Sequence, residues 1–297
     1  MRTALTAIAD ELRRLKTTGV QSVAVADESL AALRAAVSRG PREKPSPPQA
    51  GTAVLELAPA VKPEVPPAKA MPEVASPPVV ALPPGDKTVR WEALRALVMA
   101  DRTCCSNVRP GKKVVLGVGS LDAQIMFIGE APGADEEIQG EPFVGPAGQL
   151  LNRMISAMGI QRSDVYIGNI MNWRPQLPVG SDGVQYGNRP PTSAEMAYCM
   201  PYLLAQIDVV QPAILVALGS SATQGLLGSG TFKALGEVRG QWREFAGRPL
   251  MITYHPSYIL RNSTNRSKRM IWEDLLKVME RAGLPISDKQ RAFFTGK

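Results

Sequence analysis

The sequence predicts an α/β fold: a single α/β/α sandwich with a mostly parallel central sheet. Two observations carry that prediction. From about Asp86 onward, short apolar runs of strand length alternate with longer segments of helical periodicity. The runs also end at glycine-containing turns that open directly into the next helix. Such alternation requires crossover connections, so the strands lie parallel with helices on both faces.

Ahead of that unit, residues 1–40 read as a short helical segment. Ala4, Ile8, Leu12 and Leu15 recur at helical spacing, and Ser29 opens a second periodic stretch through Val37. Residues 41–85 form a proline-rich linker that holds 13 of the chain's 26 prolines. Each proline removes a backbone donor and fixes φ, so this stretch is expected to be an extended, disordered tether. Residues 86–297 are expected to form the globular domain.

Within the domain, the run from Leu121 to Ile128 is the first strand, and Pro146 to Met158 has helical spacing. Val165 to Ile170 is a second strand. Ser193 to Val209 is a helix opened by the capping-box pattern Thr192-Ser-Ala-Glu. Ala213 to Leu218 is a third strand, and a helix begins at Gly219-Ser-Ser. Gln241–Phe245 and Pro249–Tyr254 form a hairpin turning at Gly247, followed by a loop and a last helix from Lys268 to Arg281.

Composition narrows the chemistry. With His255 as the only histidine among 297 residues, sites built on paired histidines are excluded, HExxH metalloproteases among them. Three cysteines cannot close a disulfide framework, and no stretch reaches the ~18 apolar residues of a membrane span. Met1 is not followed by a secretory pattern, so a cytoplasmic protein without a membrane partner is expected. A net charge of +7 permits a polyanionic partner.

Three segments follow strands directly and so converge where parallel sheets bind ligands, at the carboxyl ends of the strands. The first runs Gly129-Glu-Ala-Pro-Gly-Ala-Asp-Glu-Glu and continues as Gly140-Glu-Pro-Phe-Val-Gly-Pro-Ala-Gly. It lacks the lysine of a phosphate loop and the GxGxxG spacing of a dinucleotide fold. Phe143, between a proline and a glycine-bearing turn, suits stacking on a planar ligand; taken alone it reads more often as a core residue. The second is Asn169, whose amide offers a donor and an acceptor side by side, as needed to read an amide-like edge. The third is Thr253-Tyr-His-Pro-Ser-Tyr-Ile-Leu-Arg, which places His255 beyond a strand end.

Taken in order, G-E-A-P-G, G-x-P-F-V-G-x-A-G, a strand ending in Asn before R-P, and H-P-S-x-x-L-R resemble the uracil-DNA glycosylase superfamily, nearest its family 4 branch. The resemblance spans about Leu121 to Met279 and leaves residues 1–85 uncovered. It implies an enzyme that flips deoxyuridine out of the stack, hydrolyses the N-glycosidic bond and leaves an abasic site. Phe143 would then lie on the uracil face, Asn169 on its O4/N3 edge, and His255 would donate to O2 as charge builds on the leaving base. The best-known branch has Asp where this chain has Ala131, a residue expected on the substrate side. The water-activating acid accordingly moves to Glu130 first, Glu136 second and Asp135 third, with Asn188 assisting. At least two of Asp135, Glu136 and Glu137 are expected to form a solvated acidic turn. Ser257, Tyr258 and Arg261 match the loop that probes DNA, with Tyr258 or Ile259 as the wedge. Arg266, Lys268 and Arg269 add positive charge nearby. The implied partner is uracil-containing DNA, single- or double-stranded, bound by a monomer. The alternatives are an inactive DNA-binding relative of the same fold, or a glycosylase for another deaminated base.

One feature departs from the family. Family 4 enzymes usually carry a four-iron four-sulfur cluster on four cysteines. Here the leading pair is the adjacent Cys104-Cys105, the third position is Trp173, and Cys199 remains. With four thiolates the norm, the cluster is expected to be absent, and catalysis needs no cofactor.

Overall fold

Helices cover both faces of a six-stranded sheet in the computed structural model, which describes residues 76–180 and 182–295. The helical segment expected over 1–40, and the linker as far as residue 75, lie outside those residues. At the end of the expected linker, Val80 and Leu82 pack against the core. The strands are β1 (Val118–Gly119), β2 (Ile125–Gly129), β3 (Tyr166–Asn169), β4 (Ile214–Leu218), β5 (Trp242–Phe245) and β6 (Arg248–Thr253), in spatial order β1-β3-β2-β4-β6-β5. β3, β2, β4 and β6 are mutually parallel, and the edge strands β1 and β5 pair antiparallel.

The sheet forms here because β2 and β4 are apolar on both faces. Along β2, Ile125 and Phe127 enter one core cluster while Met126 and Ile128 enter the other, as the two-residue period of a strand demands. The cluster of Met126 and Ile128 also takes Leu94 and Val98 of α1 (Lys87–Ala100), which Asp86 caps by accepting from the Val89 N–H at 2.9 Å. The opposite cluster is closed by Leu151 and Ile155 of α4 (Pro146–Ala157) and by Leu275 and Met279 of α9 (Asn265–Arg281). Burial of each such side chain contributes about 1.5–3 kcal/mol.

The remaining helices are α2 (Arg102–Ser106), α3 (Ala134–Gln139), α5 (Ser193–Val210), α6 (Ser220–Leu227), α7 (Leu235–Val238), α8 (Pro256–Arg261) and α10 (Asp288–Arg291). Thr192 and Glu195 close the expected capping box on α5. The β5–β6 turn puts Ala246 at φ 51° and Gly247 at φ 71°, two left-handed residues that match the twist of a two-residue hairpin. Two expectations need adjustment. The first strand starts at Ile125 rather than Leu121, because Ser120 to Ala123 close a turn first. The H-P-S segment, expected as loop, is helical: Pro256 presets φ at the first position, and His255 itself caps the helix.

From β2 the chain moves to β3 on one side, then crosses back to β4 on the other. That reversal opens a crevice at the carboxyl ends of the central strands.

Candidate active site

The crevice is an open cleft of about 700 Å³. It brings together Glu130, Ala131, Phe143 and Asn169 with Asn188 and His255, and its wall also includes Asp135, Glu136, Ser257 and Arg261.

Asn169 ends β3, in register with Gly129 of β2. It is only 6 % exposed, and its Oδ1 is buried with no hydrogen-bond partner among the described residues. A buried unpaired acceptor costs about 1–3 kcal/mol, so this atom is set for an incoming donor. Gly129 makes the room: a Cβ there would overlap Asn169 Oδ1 and lie 2.5 Å from Phe143 Cζ. Phe143 is buried with φ 54°, a left-handed backbone that a bulky residue adopts only when its surroundings impose it. Here Arg162 imposes it, donating to the carbonyls of Pro142 (2.6 Å) and Phe143 (3.2 Å).

Glu136 fixes the same loop from the other side. Its carboxylate accepts the backbone N–H of Gly133 (3.0 Å), Val144 (3.0 Å) and Gly145 (2.9 Å). Glu137 is buried and ion-paired with Arg174 at 2.9 Å. The expectation that at least two of the three acids form a solvated turn is thereby corrected: of the three, Asp135 alone is exposed. The turn is helical, and α3 directs Glu137 inward, where a charge persists only when paired.

Glu130 follows β2. Burial raises its pKa, opposed by a hydrogen bond with Ser221 at the start of α6. Ser221's contact is not legible from the chain alone, because Gly219-Ser-Ser reads simply as a helix start.

His255 Nδ1 accepts the Ser257 N–H at 3.1 Å and lies 2.9 Å from Ser257 Oγ. Neutral imidazole must then carry its proton on Nε2. Burial, and secondly the Arg261 charge, lower its pKa from 6.5 to about 4. Gly219, at φ +94°, admits the ring; a Cβ there would stand 2.9 Å from His255 Cβ. The His255 and Phe143 rings are 5.5 Å apart.

On α8, Tyr258 stacks on Tyr254 at 4.4 Å, and Ile259 is 7 % exposed within the core. Ile259 is therefore not available as a wedge, which corrects that expectation: its helical phase turns it inward. Leu260, unremarked in the sequence, is 47 % exposed and lines the cleft. Among the nearby basic residues, Arg269 is held by Glu273 and by the carbonyls of Arg291 and Phe293. Lys268 lies over the Phe294 ring.

The cysteines lie apart from the cleft. Cys104 and Cys199 are buried against each other, and the Cys199 thiol, then burial, push the Cys104 pKa up and keep it protonated. Cys105 is exposed, its thiol donating to the Met99 carbonyl at 3.3 Å. Trp173 is 1 % exposed, and its Nε1 has no hydrogen-bond partner among the described residues. Among the described residues no group of three or more His, Cys, Asp or Glu side chains is placed to hold a metal ion. Two facing thiols and an indole do not fit a four-thiolate cluster.

A crevice at parallel strand ends, lined by a buried aromatic ring and a carboxamide oxygen without a partner among the described residues, defines the class: an α/β protein with its ligand cleft at the carboxyl ends of the central strands. The family model described as "Uracil DNA glycosylase superfamily" matches residues 116–276, more than half of the chain. A "Type-4 uracil-DNA glycosylase" of Thermotoga maritima is 41 % identical over 165 residues, covering 55 % of this chain and 80 % of the relative. One of Saccharolobus solfataricus is 40 % identical over 176 residues, covering 57 % and 76 %. A third, of Archaeoglobus fulgidus, is 36 % identical over 177 residues, covering 57 % and 84 %. The chain belongs to the uracil-DNA glycosylase superfamily. No helix among its described residues is long and apolar enough to cross a membrane.

Proposed function

We propose that this protein excises uracil from DNA as a monofunctional N-glycosylase in base-excision repair. The single observation that carries the reading is the buried, unpartnered Oδ1 of Asn169 in the cleft beside Phe143. Uracil N3–H is the donor that atom lacks, while the amide N–H reaches O4. Cytosine presents the opposite pattern, an acceptor at N3 and donors at N4, and is rejected.

Phe143 covers the face of the flipped base. His255 Nε2–H donates to O2, where negative charge grows as the C1′–N1 bond breaks and its electron pair leaves with the base. Such a preorganised donor is worth about 3–4 kcal/mol in the transition state. Glu130, with Asn188, holds a water that adds to C1′ and yields its proton to the carboxylate. Glu136 acts by positioning, since three backbone N–H groups occupy its carboxylate. Leu260 and Arg261 face the DNA: Leu260 fills the gap left by the flipped nucleotide, and Arg261 meets phosphate.

The protein works as a cytoplasmic monomer on single- or double-stranded DNA. Its catalytic domain is residues 86–297. It carries no iron-sulfur cluster, a reading supported by the donor set at Cys104, Cys105, Trp173 and Cys199. An iron assay with a visible spectrum of the purified protein tests that point; stoichiometric iron refutes it. Incubation with oligonucleotides bearing uracil, hypoxanthine or no lesion, followed by alkaline cleavage, tests the activity.

A further inference from the structure

We propose that Arg174 is a positioning residue that sets which end of the Asn188 amide faces the cleft, and that the buried Arg174–Glu137 pair exists to hold it there. The proposal rests on the glycosylase reading above and extends it to residues outside the reacting shell.

Asn188 is exposed, at the end of a long stretch without helix or strand, so its own backbone does little to fix its side chain. A carboxamide has a donor end and an acceptor end, and a half-turn exchanges them. Arg174 removes that freedom. Its Nε donates to Asn188 Oδ1 at 2.8 Å, and a guanidinium has no acceptor that the NH₂ end could use instead. The guanidinium is itself immobile. Nη1 donates to Glu137 Oε1 at 2.9 Å, and Nη2 donates to the carbonyls of Gly187 (2.8 Å) and Gln185 (3.4 Å). Both ends of the ion pair are 7 % exposed. Gln185, equally buried, ties the stretch to its own start: it donates to the Pro175 carbonyl (3.0 Å) and accepts the Leu177 N–H (3.1 Å).

With Oδ1 occupied, the NH₂ end is left facing the Gly129–Gly133 turn: Nδ2 is 4.0 Å from the place of a Gly133 Cβ. It has no hydrogen-bond partner of its own among the described residues, and the residue lines the same cleft as Glu130. A water between them accepts from Asn188 and donates to Glu130, which directs its remaining lone pair toward the sugar. The reverse orientation would present two acceptors and leave that lone pair undirected. Glu137, in the turn but out of the cleft, therefore contributes by anchoring the arginine that orients the amide.

The test is steady-state excision of uracil from an oligonucleotide by the full chain, with melting temperatures measured in parallel. Arg174→Lys keeps a cation for Glu137 but loses the Nε bond. Asn188→Asp keeps the partner of Arg174, as a carboxylate, but loses the donor end. Each is expected to lower kcat by roughly 10- to 100-fold with KM unchanged. Asn188→Asp should melt no lower than wild type, and the double variant should be no slower than the slower single one. If Arg174→Lys fails to fold, Glu137→Gln takes its place: it leaves the Nε bond but loosens the anchor, and wild-type kcat there overturns the proposal. Wild-type kcat in Asn188→Asp, or losses that multiply in the double variant, overturns the proposal while leaving the glycosylase reading intact. No excision by folded wild-type protein overturns that reading first.

Discussion

His255 offers the sharpest quantitative test, because it is the chain's only histidine and its signals are free of overlap. Burial and the Arg261 charge disfavour its cation, lowering its pKa from 6.5 to about 4. Between those two values the unfolded chain binds a proton that the folded chain does not. The contribution of this ring to stability therefore falls as pH drops from 6.5 toward 4 and levels off below. At about 1.4 kcal/mol per tenfold change in proton affinity, the loss is at most about 3 kcal/mol. The accepted Ser257 N–H further requires the proton of the neutral ring to sit on Nε2. Nitrogen-15 NMR of the imidazole against pH reads both the midpoint and the tautomer. Denaturation of wild type and His255→Gln over the same range reads the energy, the variant lacking this part of the slope. A midpoint at or above 6.5, or a neutral ring protonated on Nδ1, would refute the reasoning.

Other outcomes follow from the same geometry. Gly129→Ala sets a methyl group against Phe143 Cζ and Asn169 Oδ1, so excision should fall by about 100-fold while circular dichroism stays native. Glu136→Ala strands three backbone N–H groups; calorimetry should show a loss of about 2 kcal/mol, with KM raised as the Phe143 loop loosens. Leu260→Ala should slow excision from double-stranded substrate more than from single-stranded, since only the duplex has a stack to hold open. Equal slowing on both would remove Leu260 from that role.

The parallel strands were legible because β2 and β4 are uninterrupted apolar runs, and the α5 start because Thr192 and Glu195 form a local capping box. β1 was not, since two residues on a sheet edge carry no periodicity. Within the site, Glu130, Asn169 and His255 stand immediately at or beyond strand ends, where order along the chain predicts convergence. What escaped was non-local pairing. Glu137 looks like any acid in an acidic turn until Arg174, 37 residues away, meets it. Ile259 and Leu260 differ only in helical phase, and that phase is set by His255 capping α8 through its own side chain.

The central claim is that the buried amide of Asn169 reads uracil for excision. The most direct measurement compares wild type with Asn169→Ala on one oligonucleotide carrying a single uracil, scoring abasic sites by alkaline cleavage. The account predicts efficient cleavage at the uracil by wild type, none at cytosine in the same position, and a loss of at least about 100-fold in the variant. Folded wild-type protein that leaves uracil in place, or a variant that excises it at the wild-type rate, would contradict it.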